Sequence, residues 1–308
     1  MAGPLFRAPI LWAAGLPFVR RLAQEGGLAR RVALRFVAGE TLDDALRVAG
    51  GLNSRGIGAM LDHLGENIES PEQASAAADA YVLALKRIQE ERLSDANISI
   101  KLTQLGLDVS PDTCLENAVR VLEAAGSTLV MIDMEGSAYT ERTLTAYRDL
   151  RKRYENVGVC VQAYLHRSAD DVRELARQGA TVRVCKGAYL EPPLVAIPKR
   201  SDVDRNFARL TATLLSAGCT VHVATHDPRL IDGARSFVER RGIDREQFEF
   251  QMLYGIRRNL QERLAAEGYR VRTYIPYGDQ WYPYLTRRLA ERPANVWFFV
   301  ANLLRRGG

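Results

Sequence analysis

The chain has 308 residues, 47% hydrophobic and 26% charged, a balance that supports one sizeable buried core and excludes a disordered or fibrous chain. The formal net charge of +5 comes from basic residues spread along the sequence, which speaks against a nucleic-acid-binding surface. The four cysteines, Cys114, Cys160, Cys185 and Cys219, form no CxxC pair, which argues against a disulfide framework or a cysteine-rich zinc site and fits a reducing cytoplasm.

Residues 1–45 are expected to form a helical N-terminal extension. An apolar stretch at residues 8–19 contains Pro9 and Pro17 and is followed by Arg20 and Arg21. It is shorter than the roughly 20 residues a membrane span needs, and the arginines stand where an export signal would carry its cleavage region. Packing on the fold or lying on a membrane surface is the expectation for it.

From residue 57 onward, short apolar runs alternate with stretches of helical periodicity. Strands are expected at 57–62, 97–102, 128–133, 157–163, 181–185, 220–224, 248–253 and 271–275. Helices are expected at 72–93, 111–125, 140–155, 168–178, 202–217, 228–241, 256–267 and 280–291, with a closing helix at 293–306. Ser70-Pro71-Glu72 and Ser110-Pro111-Asp112 read as helix starts, serine at the cap and proline in the first turn. Gly126, Gly179, Gly218, Gly242 and Gly268 stand where helices should end. Strands this apolar, each followed by a helix, predict an α/β fold: a single (β/α)8 TIM-like barrel over 46–308. A doubly wound open sheet is the rival, but no G-x-G-x-x-G follows any strand.

In a barrel the chemistry belongs at the C-terminal strand ends, and polar groups close every one of these strands. In order they are Asp62-His63-Leu64-Gly65-Glu66, Lys101, Asp133-Met134-Glu135, Gln162 with Tyr164, Arg183 to Tyr189, Thr225-His226-Asp227, Gln251 with Leu253, and Tyr274. Each has a plain structural reading. Lys101 and Asp133 suit a buried salt bridge, His226 a cap, and Gln162 a bond to neighbouring backbone. A full rim of such groups is harder to explain so, because buried charge is costly unless paired or used. After the last strand, Arg287 and Arg288 sit on a helix near the mouth with Glu291 within reach. Guanidinium forks suit a carboxylate, although an exposed basic helix face would read the same.

The runs I-K-L-T-Q-L-G at 100–106, R-V-C-K-G-A-Y at 183–189, V-A-T-H-D at 223–227, E-F-Q-M-L-Y-G at 249–255 and Y-P-Y-L-T-R-R-L-A-E at 282–291 resemble the proline dehydrogenase family. The resemblance spans about residues 55–300 and is similar in length to monofunctional bacterial members. It implies oxidation of L-proline to 1-pyrroline-5-carboxylate, with hydride passing from proline C5 to N5 of a non-covalent FAD and electrons passing on to a membrane quinone. It implies Arg287 and Arg288 as a carboxylate clamp oriented by Glu291, with Glu66 as a gate pairing with Arg287. Lys101, Asp133, Tyr189, Leu253 and Tyr274 would surround the ring, Tyr274 favouring proline over hydroxyproline. Met134, Gln162, Arg183, Lys186, Gly187, Ala188, Thr225, His226 and Gln251 would contact FAD, Arg183 near N5, and Asp133 and Arg183 would be the catalytic pair. The family further implies a cytoplasmic protein, peripheral to the inner membrane face, compatible with a homo-oligomer and with docking of 1-pyrroline-5-carboxylate dehydrogenase.

Other chemistries stay in view. Lys101 and Lys186 on barrel strands would suit a Schiff-base lysine aldolase, yet that leaves the paired arginines and the tyrosines unexplained. His63, His222 and His226 would be the ligands of a metal-dependent hydrolase, but the His222/His226 spacing suits a helix and here falls on a strand and its turn. No metal and no nucleic acid are expected.

Overall fold

Each expected apolar run becomes a parallel strand, and the strands close on themselves in sequence order as β1-β2-β3-β4-β5-β6-β7-β8. The structure, a computed structural model, describes residues 34–65, 68–282 and 284. The strands are β1 Gly58–His63, β2 Ala96–Ile100, β3 Val130–Ile132, β4 Val157–Gln162, β5 Thr181–Cys185, β6 Thr220–Ala224, β7 Phe248–Leu253 and β8 Val271–Tyr277. β1 pairs with both β2 and β8, which closes the barrel.

The described helices are α1 Leu42–Asn53, α2 Pro71–Glu90, α3 Pro111–Ala125, α4 Thr140–Arg151, α5 Ser168–Arg177, α6 Arg200–Ser216, α7 Pro228–Arg241 and α8 Arg258–Ala266. The caps read from sequence form: Ser70 accepts from the Gln73 N–H and Ser110 from the Thr113 N–H. Gly242 ends α7 at φ +62°, a left-handed conformation that costs glycine little.

Alternation along the later strands sorts the two faces of the barrel wall. Val182, Val184, Val221, Val223, Phe248 and Phe250 face the helices and are fully buried, while Arg183, His222, Glu249, Gln251 and Arg272 fill the interior. The reading of these strands as apolar therefore needs correcting for β5 to β8. They alternate apolar outside with polar inside, because this barrel's interior is polar.

α1 packs against β1 and β8, the place a helix following β8 takes in a regular barrel. It begins at Leu42 and runs through residue 45, the expected limit of the extension, and residues 34–41 before it are turns and bends. With that flank filled, the described residues after β8 stay at the C-terminal rim. Leu64 N–H donates to the Tyr277 carbonyl, Gly278 N–H donates to the Gly39 carbonyl, and Trp281, Tyr282 and Tyr284 are buried with Val37 and Leu64. Of the helix expected at 280–291, helical backbone is described at Trp281, Tyr282 and Tyr284. Residues 1–33, Glu66, Arg287, Arg288, Glu291 and the closing helix lie outside the described residues.

Candidate active site

Register brings the rim residues together in layers. Asp62 lies opposite Ser99, Cys160 opposite Arg183, Arg183 opposite His222, Ala224 opposite Gln251, and Leu253 opposite Tyr274. Side chains that share a level and an inward direction converge on the axis, where Asp133 is the centre of a fully engaged cluster. Its Oδ1 accepts from the Arg183 guanidinium and from Ser99 Oγ at 2.6 Å, and its Oδ2 accepts from Tyr274 Oη at 2.7 Å. Lys101 Nζ lies 3.7 Å from Asp133 Oδ2 and bonds directly to Asp62. The Arg183 guanidinium stands over the Tyr274 ring at 5.4 Å from its centroid.

Electrostatics follow from burial and these partners. Burial alone would raise the Asp133 carboxyl, but Arg183 and then Lys101 hold it below the usual carboxylate range. Burial works against the charge on Lys101, and Asp62 and Asp133 outweigh it, keeping the ammonium protonated. Asp62, almost wholly buried, is pushed up by that burial against the pull of Lys101. Burial and Asp133 raise the Tyr274 phenol well above its ordinary value, so it acts as a donor to Asp133.

Below this cluster a second set of residues holds Arg183. Its Nε donates to Gln251 Oε1 at 2.7 Å, and the Gln251 amide NH2 lies 2.9 Å from His222 Nδ1 and 2.6 Å from Glu249 Oε1. Both Glu249 carboxylate oxygens in turn share the Arg272 Nε–H, at 2.9 and 3.2 Å, and Arg272 reaches Asp95 at 2.6 Å. Arg183 is therefore fixed from above by Asp133 and from below by Gln251, a geometry a flexible arginine would not hold by itself.

The other expected site residues line the mouth. Gln162 donates to the carbonyls of Met134 and Glu135 at 2.8 and 3.0 Å, and its own Oε1 is buried without a protein partner. Lys186 lies between Asp204 and Asp227, at 2.5 and 3.1 Å. Gly187 has φ +109°, and a side chain there would run into the Tyr164 ring. Thr225 Oγ1 accepts from Asp227 N–H at 3.1 Å, and His226 Nε2 accepts from Leu253 N–H at 2.9 Å. Ala188 and Tyr189 follow Gly187 in the half-buried β5 loop.

Sequence reasoning placed Asp62 on the rim without a role and passed over Ser99, Glu249 and Arg272. The signal that could have found them was strict alternation, since Glu249, Gln251 and Leu253 share one face of β7, as Arg272 and Tyr274 share one face of β8. The bland reading of Lys101 is also met in part, because it does form a buried ion pair, with Asp62 at closer range than with Asp133. Among the described residues no group of His, Cys, Asp and Glu is arranged to hold a metal.

Residues 45–300 match the family model described as proline dehydrogenase. The chain belongs to the proline dehydrogenase family. It is 41% identical to the proline dehydrogenase of Deinococcus radiodurans over 312 residues, covering 99% of this chain and 100% of that one. Proline dehydrogenase 1 of Bacillus subtilis is 40% identical over 276 residues, covering 89% of this chain and 91% of the relative. Among solved structures it superposes on proline utilization A of Bdellovibrio bacteriovorus, inactivated by N-propargylglycine, with a TM-score of 0.80 and 25% identity over 94% of this chain. Proline utilization A of Bradyrhizobium japonicum shares the fold, with a TM-score of 0.72 over 85% of this chain. The chain spans only 36% and 31% of those two longer proteins. Membership makes this chain a proline dehydrogenase-type oxidoreductase on a TIM-like barrel.

Proposed function

We propose that this chain oxidises L-proline to 1-pyrroline-5-carboxylate with a non-covalently held FAD and delivers the electrons to a membrane quinone. The observation that carries this reading is the cluster at the mouth of a barrel of this family, in which Arg183 and Tyr274 hydrogen-bond Asp133 and Lys101 stands 3.7 Å from it. The residues fit the cofactor on one observation: the buried Gln162 Oε1 lacks a partner that a flavin ring N–H would supply.

FAD, when bound, supplies the acceptor for a hydride from C5 of proline. The protein supplies position and charge. Arg183, held rigid between Asp133 and Gln251, presents positive charge that would favour electron transfer to the acceptor. Gln251 acts on the cofactor through Arg183, since its own amide is engaged with Arg183, His222 and Glu249. Met134, Gln162, Lys186, Gly187, Ala188, Thr225 and His226 surround the cofactor. Lys101, Asp133, Tyr189, Leu253 and Tyr274 wall the ring of proline, and Asp133 orients the ring amine while it is in its free form. The carboxylate is clamped by Arg287 and Arg288, oriented by Glu291 and gated by Glu66.

In this reading residues 46–308 are the catalytic unit and residues 1–45 an extension running into α1. No described helix is long and apolar enough to cross a membrane. In this reading the protein is cytoplasmic and meets the quinone peripherally, at the inner face of the membrane. A 1-pyrroline-5-carboxylate dehydrogenase is the partner that consumes the product, and self-association is compatible with the exposed flanks.

The test is a visible spectrum of the purified protein, before and after anaerobic L-proline. A flavin spectrum that bleaches with L-proline and not with D-proline is the expected result. A yellow protein indifferent to proline would overturn the substrate, and a protein that stays colourless after FAD is supplied would overturn the cofactor.

A further inference from the structure

Two of the four cysteines meet inside the barrel. Cys160 on β4 and Cys185 at the end of β5 both face inward, and their sulfurs are 3.6 Å apart. Cys185 is half-buried and Cys160 is almost wholly buried. Cys114 and Cys219 stand alone, fully buried, with their sulfurs against the carbonyls of Leu102 and Ala176. The neighbours of the pair give its members different characters. A bond from the Cys160 thiol, then the Arg183 charge and the Gly187 N–H, favour the thiolate of Cys185, while its hydrogen bond to Cys185 and burial keep Cys160 a thiol. A half-buried thiol held below its ordinary value, in contact with a second thiol, is the arrangement of an attacking and a resolving cysteine.

We propose that Cys160 and Cys185 form a peroxide-responsive dithiol in the wall of the barrel chamber. Cys185 Sγ attacks one oxygen of hydrogen peroxide, the O–O bond breaks, and the leaving hydroxide takes a proton to become water. Cys160 Sγ then attacks the sulfur of the Cys185 sulfenic acid and loses its proton, the S–O bond breaks, and a second water leaves. The two thiols give up two electrons, the peroxide takes them, and the product is an intrachain disulfide. Closing the bond draws the sulfurs together by about 1.5 Å. Cys185 is the last residue of β5, so the displacement falls on the adjoining Lys186-Gly187 segment and not on the interior of the strand.

The test treats the full-length purified protein with graded hydrogen peroxide, then denatures it and counts alkylatable thiols by intact mass and peptide mapping. The expected result is a fall from four alkylated cysteines to two, with a Cys160–Cys185 cross-linked peptide that dithiothreitol reverses. In the unsubstituted protein, Cys185 should react about tenfold or more faster than Cys114 or Cys219. In Cys160→Ser the sulfenic acid on Cys185 should accumulate and be trapped by dimedone, whereas Cys185→Ser should leave Cys160 unoxidised at the same dose. Equal reactivity of all four cysteines, oxidation of Cys160 in the Cys185→Ser protein, or cross-links only between chains would overturn the proposal. None of these readouts depends on proline oxidation.

Discussion

Asp133 is the carboxylate on which Arg183, Ser99, Tyr274 and Lys101 converge, and its charge decides what those contacts are worth. With Arg183 and Tyr274 bonded to it and Lys101 nearby, the carboxylate is compensated and burial is tolerated. Asp133→Asn keeps the shape but leaves two cations facing a neutral amide. Breaking one side of a buried pair typically costs about 3 kcal/mol or more, and urea unfolding at neutral pH should show a loss of that order. The pH dependence has a definite sign. A carboxyl held below its unfolded value adds stability that is complete above the unfolded pKa of about 3.9 and disappears as pH falls through the depressed value. The gap between the two proteins should therefore be flat at neutral pH and narrow only below about pH 4. A gap that narrows between pH 7 and 5 instead would show that some other group is responsible.

Among the elements, the β5 loop is where backbone conformation and cofactor fit coincide. Gly187 stands in the left-handed region, and an alanine there meets both that strain and the Tyr164 ring. Strain of this kind costs of order 1–3 kcal/mol. Gly187→Ala should lower the thermal midpoint by several degrees and release FAD on dialysis that the unsubstituted protein survives. Full FAD retention at an unchanged midpoint would show that Gly187 takes no part in holding the cofactor. Elements of this barrel were legible from sequence where one face of a strand or helix carried the pattern, and illegible where two requirements overlapped. Lys101 was expected inside β2 but follows its end at Ile100, and Asp133 follows β3 at Ile132, because a side chain that serves the rim stands where pairing stops. β8 continues to Tyr277, since Leu64 and Ala38 supply further backbone partners there. α1 was expected only as the end of a helical extension closing at residue 45, and it runs on through Gly50-Gly51 to Asn53. Its start was nevertheless written in Thr41 and Asp44, which form a reciprocal capping box. The use of α1 to fill the flank between β8 and β1 is a property of tertiary packing that no local pattern carries.

At the scale of the whole molecule, the barrel is threaded by alternating charges. Asp95, Arg272, Glu249, Gln251, Arg183, Asp133, Lys101 and Asp62 form one connected chain along the interior. An apolar barrel would be simpler to stabilise, so this ladder is understandable as the support that keeps Arg183 aimed. His222 is its acid-sensitive joint. Gln251 donates to Nδ1, which requires a neutral ring carrying its proton on Nε2. Burial first, with Arg183 and Arg272 adding to it against Glu249, holds the imidazole down to about 4. Glu249 is held down to about 2, because His222 and Arg272 outweigh its burial. For His222 the unfolded chain takes up a proton below about pH 6.5 while the folded protein does not, so stability falls from there to about pH 4 and no further on this account. The loss attributable to His222 is on the order of 3 kcal/mol. Glu249 contributes only below its ordinary value of 4.5, as pH approaches 2. His222→Gln offers an acceptor to Gln251 and cannot titrate. Its unfolding free energy should slope less between about pH 6.5 and 4.5 than that of the unsubstituted protein, the remaining slope coming from His63, which burial also holds down, and both should then fall together in stronger acid. Parallel slopes across that first interval would place the acid sensitivity outside the ladder and deprive His222 of its role as the joint.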